Sequence, residues 1–96
     1  MKKSHYIYKS TKLIHILLEY TEDHIIDSIT ITGDFFVYPE ERLNQLEGSL
    51  IGIRLEEYTI KQKIQEWLGN SEVFGFDAES LTKAIMGCLK NSETKI

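Results

Sequence analysis

The chain has 96 residues, 42% of them hydrophobic and 27% charged, which suits a single domain over residues 1–96 with one core. A net charge of −4, from 15 acidic against 11 basic residues, opposes a nucleic-acid footprint, and no apolar run has the length of a bilayer span or a signal peptide. The one cysteine, Cys88, cannot close a disulfide within the chain, so nothing asks for an oxidising compartment and the cytoplasm is the expected location.

Lys2, Lys3, Lys9 and Lys12 cluster near the start and read as a solvated chain end able to meet an acidic partner. His5 to Ser10 read as a short strand. Lys12 to Tyr20 form a second, in which Ile14, Ile16, Leu18 and Tyr20 alternate with Leu13, His15, Leu17 and Glu19, so burial on nearly both faces is expected. Glu22 and Asp23 interrupt the apolar run and predict a hairpin to a third strand, His24 to Thr32. Along that strand Ile29 and Ile31 share one face and Thr30 and Thr32 the other, which predicts one buried face.

The third strand should end at Gly33, since glycine tolerates positive φ. Asp34 is placed to bond neighbouring backbone N–H groups, turning the chain and setting Phe35 and Phe36 at fixed angles. This corner is either a strand-end turn with two core phenylalanines, the commoner use of apolar aromatics, or a recognition surface.

Pro39 fits the first position of a helix, with Glu40 and Glu41 complementing its dipole, Leu43, Leu46 and Leu50 as its buried stripe and Gly52 as its stop. Thr59 and Gln62 have the spacing of a capping box for a second helix carrying Ile60, Ile64, Trp67 and Leu68, with Gly69 closing it in a left-handed turn. Asn70 to Phe76 read as a loop and Asp77 as the N-cap of a last helix. Leu81, Ala84, Ile85, Cys88 and Leu89 fall on one stripe of that helix, and residues 91–96 form a frayed tail. The fold class is therefore α+β, a small antiparallel sheet of two to three strands followed by three helices packed on it.

Catalytic signals are missing from this pattern. Cys88 sits on an apolar stripe near a helix C-terminus, where nothing promotes a thiolate. The six glycines are dispersed rather than gathered into a phosphate-binding loop, and His5, His15 and His24 are scattered with no second cysteine to support zinc. Adjacent carboxylates such as Glu40 and Glu41 diverge around a helix. The expectation is a chain that is not an enzyme by itself and binds no cofactor or metal alone.

The ordered set Lys12-Leu13-Ile14, a hairpin, Ile29 to Phe36 with its Gly33-Asp34-Phe35-Phe36 segment, then Leu46-Glu47 and Leu50 before Gly52, resembles the C-terminal accessory domain of lipoate–protein ligases. The resemblance covers roughly Ser10 to Leu89, and an initiator Met1 with a short lead-in suggests the form in which this domain is a separate small subunit. It departs from the family pattern at Thr11, where members often carry glycine before the lysine of the first core strand. An arginine-rich stretch with a glycine cluster and an essential downstream lysine, features of the catalytic domain, are absent from this sequence.

What the resemblance implies is support for a two-step reaction carried out by a separate catalytic subunit. Lipoate and ATP, with Mg expected in the complex, give lipoyl-adenylate and pyrophosphate, and the acyl group then passes to a lysine of a lipoyl carrier domain. The family association is mainly with adenylation. Lys12, as a charge contact, and Gly33, Asp34, Phe35 and Phe36, as a rigid docking corner, are the candidate residues that support the partner or its active site. The family fold is similar to iron–sulfur scaffold and sulfur-transfer proteins, so an independent protein-binding module of that kind is the alternative. That class needs an exposed cysteine. A small acyl-transfer or hydrolytic enzyme is a third reading, and it lacks a visible nucleophile.

Overall fold

Alternating apolar side chains in the first third of the chain build three antiparallel strands, β1 (Lys2–Lys9), β2 (Leu13–Tyr20) and β3 (Ile26–Gly33), ordered β1-β2-β3 in one sheet. Three helices follow, α1 (Glu41–Leu50), α2 (Glu57–Leu68) and α3 (Ala78–Glu93), together with two short strands, β4 (Phe36–Tyr38) and β5 (Glu72–Phe74), that pair as a separate ribbon. The computed structural model describes residues 1–9, 12–69 and 72–93. The architecture is α+β, with α3 over β1 and β2, α1 against β3, and α2 packed on both other helices.

The sheet buries one face. Ile14, Ile16, Leu18 and Tyr20 of β2 and Ile26, Ile29 and Ile31 of β3 meet Leu46, Leu50, Ile60, Ile64, Leu81 and Ile85 from the helices. Ile26 and Ile29 are three residues apart yet both buried, because the register shifts at Glu19/Tyr20: Leu18 pairs with Ile29 and Tyr20 with Ile26. The additional residue on β3 resets its alternation. On the other face Thr30 and Thr32 are exposed as expected, but β2 is not buried on both sides, since Leu17 is 48% exposed there. No element of the described chain covers that face.

β3 is an edge strand, and its outer edge is covered. Ile31 N–H donates to Glu47 Oε2 of α1 at 2.7 Å, and the segment after α1 runs along the strand, with Ile26 N–H donating to Ile53 O at 2.9 Å and Gly52 N–H to Ile26 O at 2.8 Å. An unpaired strand edge is a liability for association, and here a carboxylate and a returning chain remove it.

Several boundaries differ from the sequence expectation. β1 begins at Lys2 rather than His5, because its backbone pairs with β2 as far as Tyr20. Pro39, after a cis Tyr38–Pro39 peptide, precedes α1 instead of opening it, and the helix starts through tight turns in which Arg42 N–H and Leu43 N–H donate to Pro39 O and Glu40 O. The Thr59–Gln62 capping box does not form. Glu56 is the N-cap, extended at φ −122°, because the Ile25–Arg54 bridge releases the chain early enough for Ile60 N–H to reach Glu56 O at 3.0 Å.

Gly69 remains right-handed at φ −62°, its N–H still bonded to Gln65 O, rather than turning left-handed. Within the expected 70–76 loop lies β5, whose pairing with β4 spans only Phe36 to Tyr38; Asn70 and Ser71 lie outside the described residues. α3 continues through residues 91–93, where a frayed tail was expected, and residues 94–96 are outside the description.

Asp77 caps α3 as its sequence position implies. Its Oδ1 accepts from Ser80 N–H at 2.7 Å, while Ser80 Oγ accepts from Asp77 N–H at 2.9 Å, a reciprocal box that satisfies otherwise orphaned donors. The Ser80 N–H holds the Asp77 carboxyl below its ordinary value. Because the folded pKa is depressed, this contribution is complete above the unfolded aspartate pKa of about 3.9 and is lost as pH falls through the folded value. Urea unfolding of Asp77→Ala at neutral pH should show a loss of about 1 kcal/mol, and the difference from wild type should shrink below about pH 4.

Candidate functional site

The corner where β3 leaves the first sheet gathers the residues singled out in the sequence. Gly33 has φ +150°, and a Cβ there would collide with Leu13 O, with Leu13 C at 3.0 Å and Ile14 Cα at 3.1 Å behind it. Only glycine lets β3 end in contact with the backbone of β2. Asp34 then donates its N–H to Leu13 O at 3.0 Å. Its carboxylate was expected to make the turn bonds. Among the described residues it accepts none: the side chain is exposed, and the backbone makes the turn by itself.

Phe35 and Phe36 separate in direction. Phe35 is half-buried and meets Phe76 edge-on, ring centroids 4.9 Å apart at 88°, and Phe76 stacks with Trp67 at 6.2 Å and 9°. Trp67 Nε1–H donates to Arg42 O at 2.7 Å, so the aromatic series runs from the corner into α2 and onto α1. Gly75, at φ +115°, lets the next loop close over Phe35: a Cβ there would stand 2.8 Å from Phe35 Cβ and 3.2 Å from Lys12 Cγ. Lys12 therefore flanks the same corner, its side chain exposed and its stem beside the Gly75 backbone.

Phe36 faces outward. In the β4–β5 ribbon Phe36 pairs with Phe74, while Val37 pairs with Val73 on the opposite, inward face. Tyr38, two residues from Phe36, shares its side. The outward face thus carries Phe36, Tyr38 and Phe74, which are 53%, 58% and 63% exposed. Beside it lies a shallow hollow of about 200 Å³ lined by Phe35, Phe36, Val37, Glu40 and Leu43.

Three exposed aromatic rings on one short ribbon differ from scattered apolar surface residues, and such rings combine large contact area with few rotatable bonds. The structure brings Lys12, Gly33, Asp34, Phe35 and Phe36 together and adds Tyr38, Phe74, Gly75 and Phe76. The added residues carried little sequence signal: β5 is three residues long, too short for its alternation to register.

Cys88 is fully buried on α3, its Sγ–H directed at Ile16 O at 3.8 Å, and burial pushes its pKa up to about 12, so the thiol remains protonated. Among the described residues no three His, Cys, Asp or Glu side chains are grouped to hold a metal ion, and no helix is long and apolar enough to cross a membrane.

Comparison with known proteins covers the same region. Residues 13–85 match a family model described as the bacterial lipoate protein ligase C-terminus. Among solved structures, a chain from Thermoplasma acidophilum is similar, with a TM-score of 0.78 at 27% identity over 88% of this chain and 94% of that one. Its structure is described as an archaeal lipoylation system, a bi-partite lipoate protein ligase and its E2 lipoyl domain. No curated protein matches the chain.

The two phenylalanines should respond differently to truncation. Phe35→Ala should cost about 2–3 kcal/mol in denaturant unfolding, less than the roughly 3–5 kcal/mol of a fully buried ring, because Phe35 is half-buried. Phe36→Ala should stay within about 0.5 kcal/mol of wild type. Equal losses at the two positions would place both rings in the core.

Proposed function

The chain belongs to the bacterial lipoate protein ligase C-terminus family, and we propose that it is the accessory subunit of a ligase whose active site lies on a separate catalytic polypeptide. The observation that carries this reading is the exposed aromatic face of Phe36, Tyr38 and Phe74, fixed to the core through Phe35, Phe76 and Trp67. The description of the Thermoplasma relative as bi-partite supports a division of the ligase between two chains.

In this reading the ribbon docks on the catalytic polypeptide. Its outward rings anchor the contact, and Lys12 adds a charge at the rim. Gly33, Asp34 and Phe35 hold the angle of approach. The partner adenylates lipoate with ATP, releasing pyrophosphate, and the lipoyl group then moves to a carrier-domain lysine. The accessory chain acts on the first step by ordering partner loops and keeping water from the mixed anhydride. In this reading any magnesium accompanying ATP is held with the nucleotide on the catalytic polypeptide. Consumption of ATP places the complex in the cytoplasm, and the carrier domain meets the assembled ligase.

The sulfur-handling alternative needs an accessible thiolate. Cys88 is the chain's one cysteine, and it is buried and protonated. That observation favours the ligase reading.

Pyrophosphate release from lipoate and ATP should be near background with this chain alone, low with the catalytic polypeptide alone, and strongly raised when the two are mixed. Full activity of the catalytic polypeptide alone would remove the need for an accessory subunit. Robust activity of this chain alone would make it the enzyme.

A further inference from the structure

The second edge of the main sheet is built differently from the first. Whereas Glu47 and the 52–55 segment cover β3, β1 forms the opposite edge and, among the described residues, pairs only with β2, through eight consecutive residues without a bulge. The register identifies which backbone groups point outward. Ile31 sends its N–H to Glu47, so its pairing with Ile16 is of the non-hydrogen-bonded kind, and Ile16 turns its own groups towards Tyr6 of β1. The alternate residues, Lys3, Ile7 and Lys9 among them, then direct N–H and C=O away from the sheet.

A cleft opens beside this strand. Its cavity of about 330 Å³ lies between sheet and helices, lined by Tyr6 and Tyr8 of β1, Glu57 of α2, and Lys83, Met86 and Gly87 of α3. Tyr6 and Tyr8 belong to the inward face of β1, whereas Lys3, Ile7 and Lys9 belong to the outer face, where Ile7 is 55% exposed. A strand added along this edge would place alternate side chains in the cleft and the others beside Lys3, Ile7 and Lys9.

Charge decides the occupant. β1 contains Lys2, Lys3 and Lys9 and no acidic residue, in a chain whose net charge is −4. Lys3 lies 3.4 Å from Glu19, but that pair is largely solvent-exposed and open to exchange. In the cleft Lys83 is held by Glu79 at 3.3 Å and Glu57 adds a negative charge, so the aromatic and Met86 surfaces there favour apolar side chains. Antiparallel pairing of two β1 strands centred on Tyr6 would set Lys3 of one copy against Lys9 of the other, a destabilising like-charge contact.

We propose that the outer edge of β1 accepts an extended segment of a protein partner in which acidic and apolar residues alternate. Its backbone adds a fourth strand, its apolar side chains enter the cleft of Tyr6, Tyr8 and Met86, and its carboxylates pair with Lys3 and Lys9. This surface uses none of the ribbon's outward aromatic residues.

The test follows amide signals of the full chain by NMR during titration with a short peptide alternating glutamate and valine, with a lysine–valine peptide as control. The glutamate peptide should slow exchange of the Lys3, Ile7 and Lys9 amides and shift Tyr6 and Tyr8. Lys3→Glu with Lys9→Glu should weaken binding severalfold, as should added salt. Ile7→Pro should abolish it, because proline removes an outward donor at an edge position that tolerates it. Unchanged β1 amides, or equal binding of the lysine peptide, would overturn the proposal. Protection of β1 that grows with protein concentration in the absence of peptide would overturn it too, by making a second copy the occupant.

Discussion

The contact of Gly33 with the Leu13 backbone is the constraint on which the candidate site depends. The end of β3 lies so close to the start of β2 that no Cβ fits between them, and Asp34 N–H immediately uses Leu13 O as its acceptor. The chain leaves the first sheet at that point in a fixed direction. Phe35 consequently faces the Phe76 ring, itself stacked on Trp67, while Phe36 begins a separate ribbon with β5. A larger residue at Gly33 would have to move backbone, not a flexible side-chain tip, so the position of the whole ribbon is tied to this one approach.

The rest of the architecture keeps that ribbon rigid. Trp67 joins α2 to α1 through Arg42 O, and Glu47 of α1 is in turn bonded to Ile31 of β3, two residues before Gly33. The exposed rings therefore stand on a closed circuit of strand, corner, aromatic stack and helices. Such a surface loses little conformational freedom on association. Cys88 belongs to a different part of the molecule, the contact of α3 with β2, where it acts as a small apolar residue.

Much of this was legible in the sequence because strong periodicities decide it. The Ile29/Ile31 against Thr30/Thr32 alternation, the Leu81-to-Leu89 stripe that carries Cys88 and the Asp77 cap all have the placement their patterns imply. The Gly33 break marked the corner, although Asp34 turns it with its backbone rather than its carboxylate. What stayed hidden depended on tertiary partners. β5 exists because β4 is beside it, α2 starts at Glu57 because the preceding chain is pinned to β3, and the exposure of Leu17 follows from helices packing on only one side of the sheet. Glu47 stood in the sequence only as part of the family resemblance, with no role assigned to its carboxylate. Its role required knowing that a strand edge lay 2.7 Å away.

The central claim is that the outward aromatic face of the ribbon is a docking surface of a lipoate ligase accessory subunit. Pyrophosphate release by the mixed complex, measured with Phe36→Ala combined with Phe74→Ala beside thermal unfolding of the isolated chain, tests it most directly. The account predicts that adenylation falls at least about tenfold, the scale of a lost interface anchor, while the melting temperature moves by only a few degrees. Undiminished adenylation by a complex carrying both substitutions would contradict it.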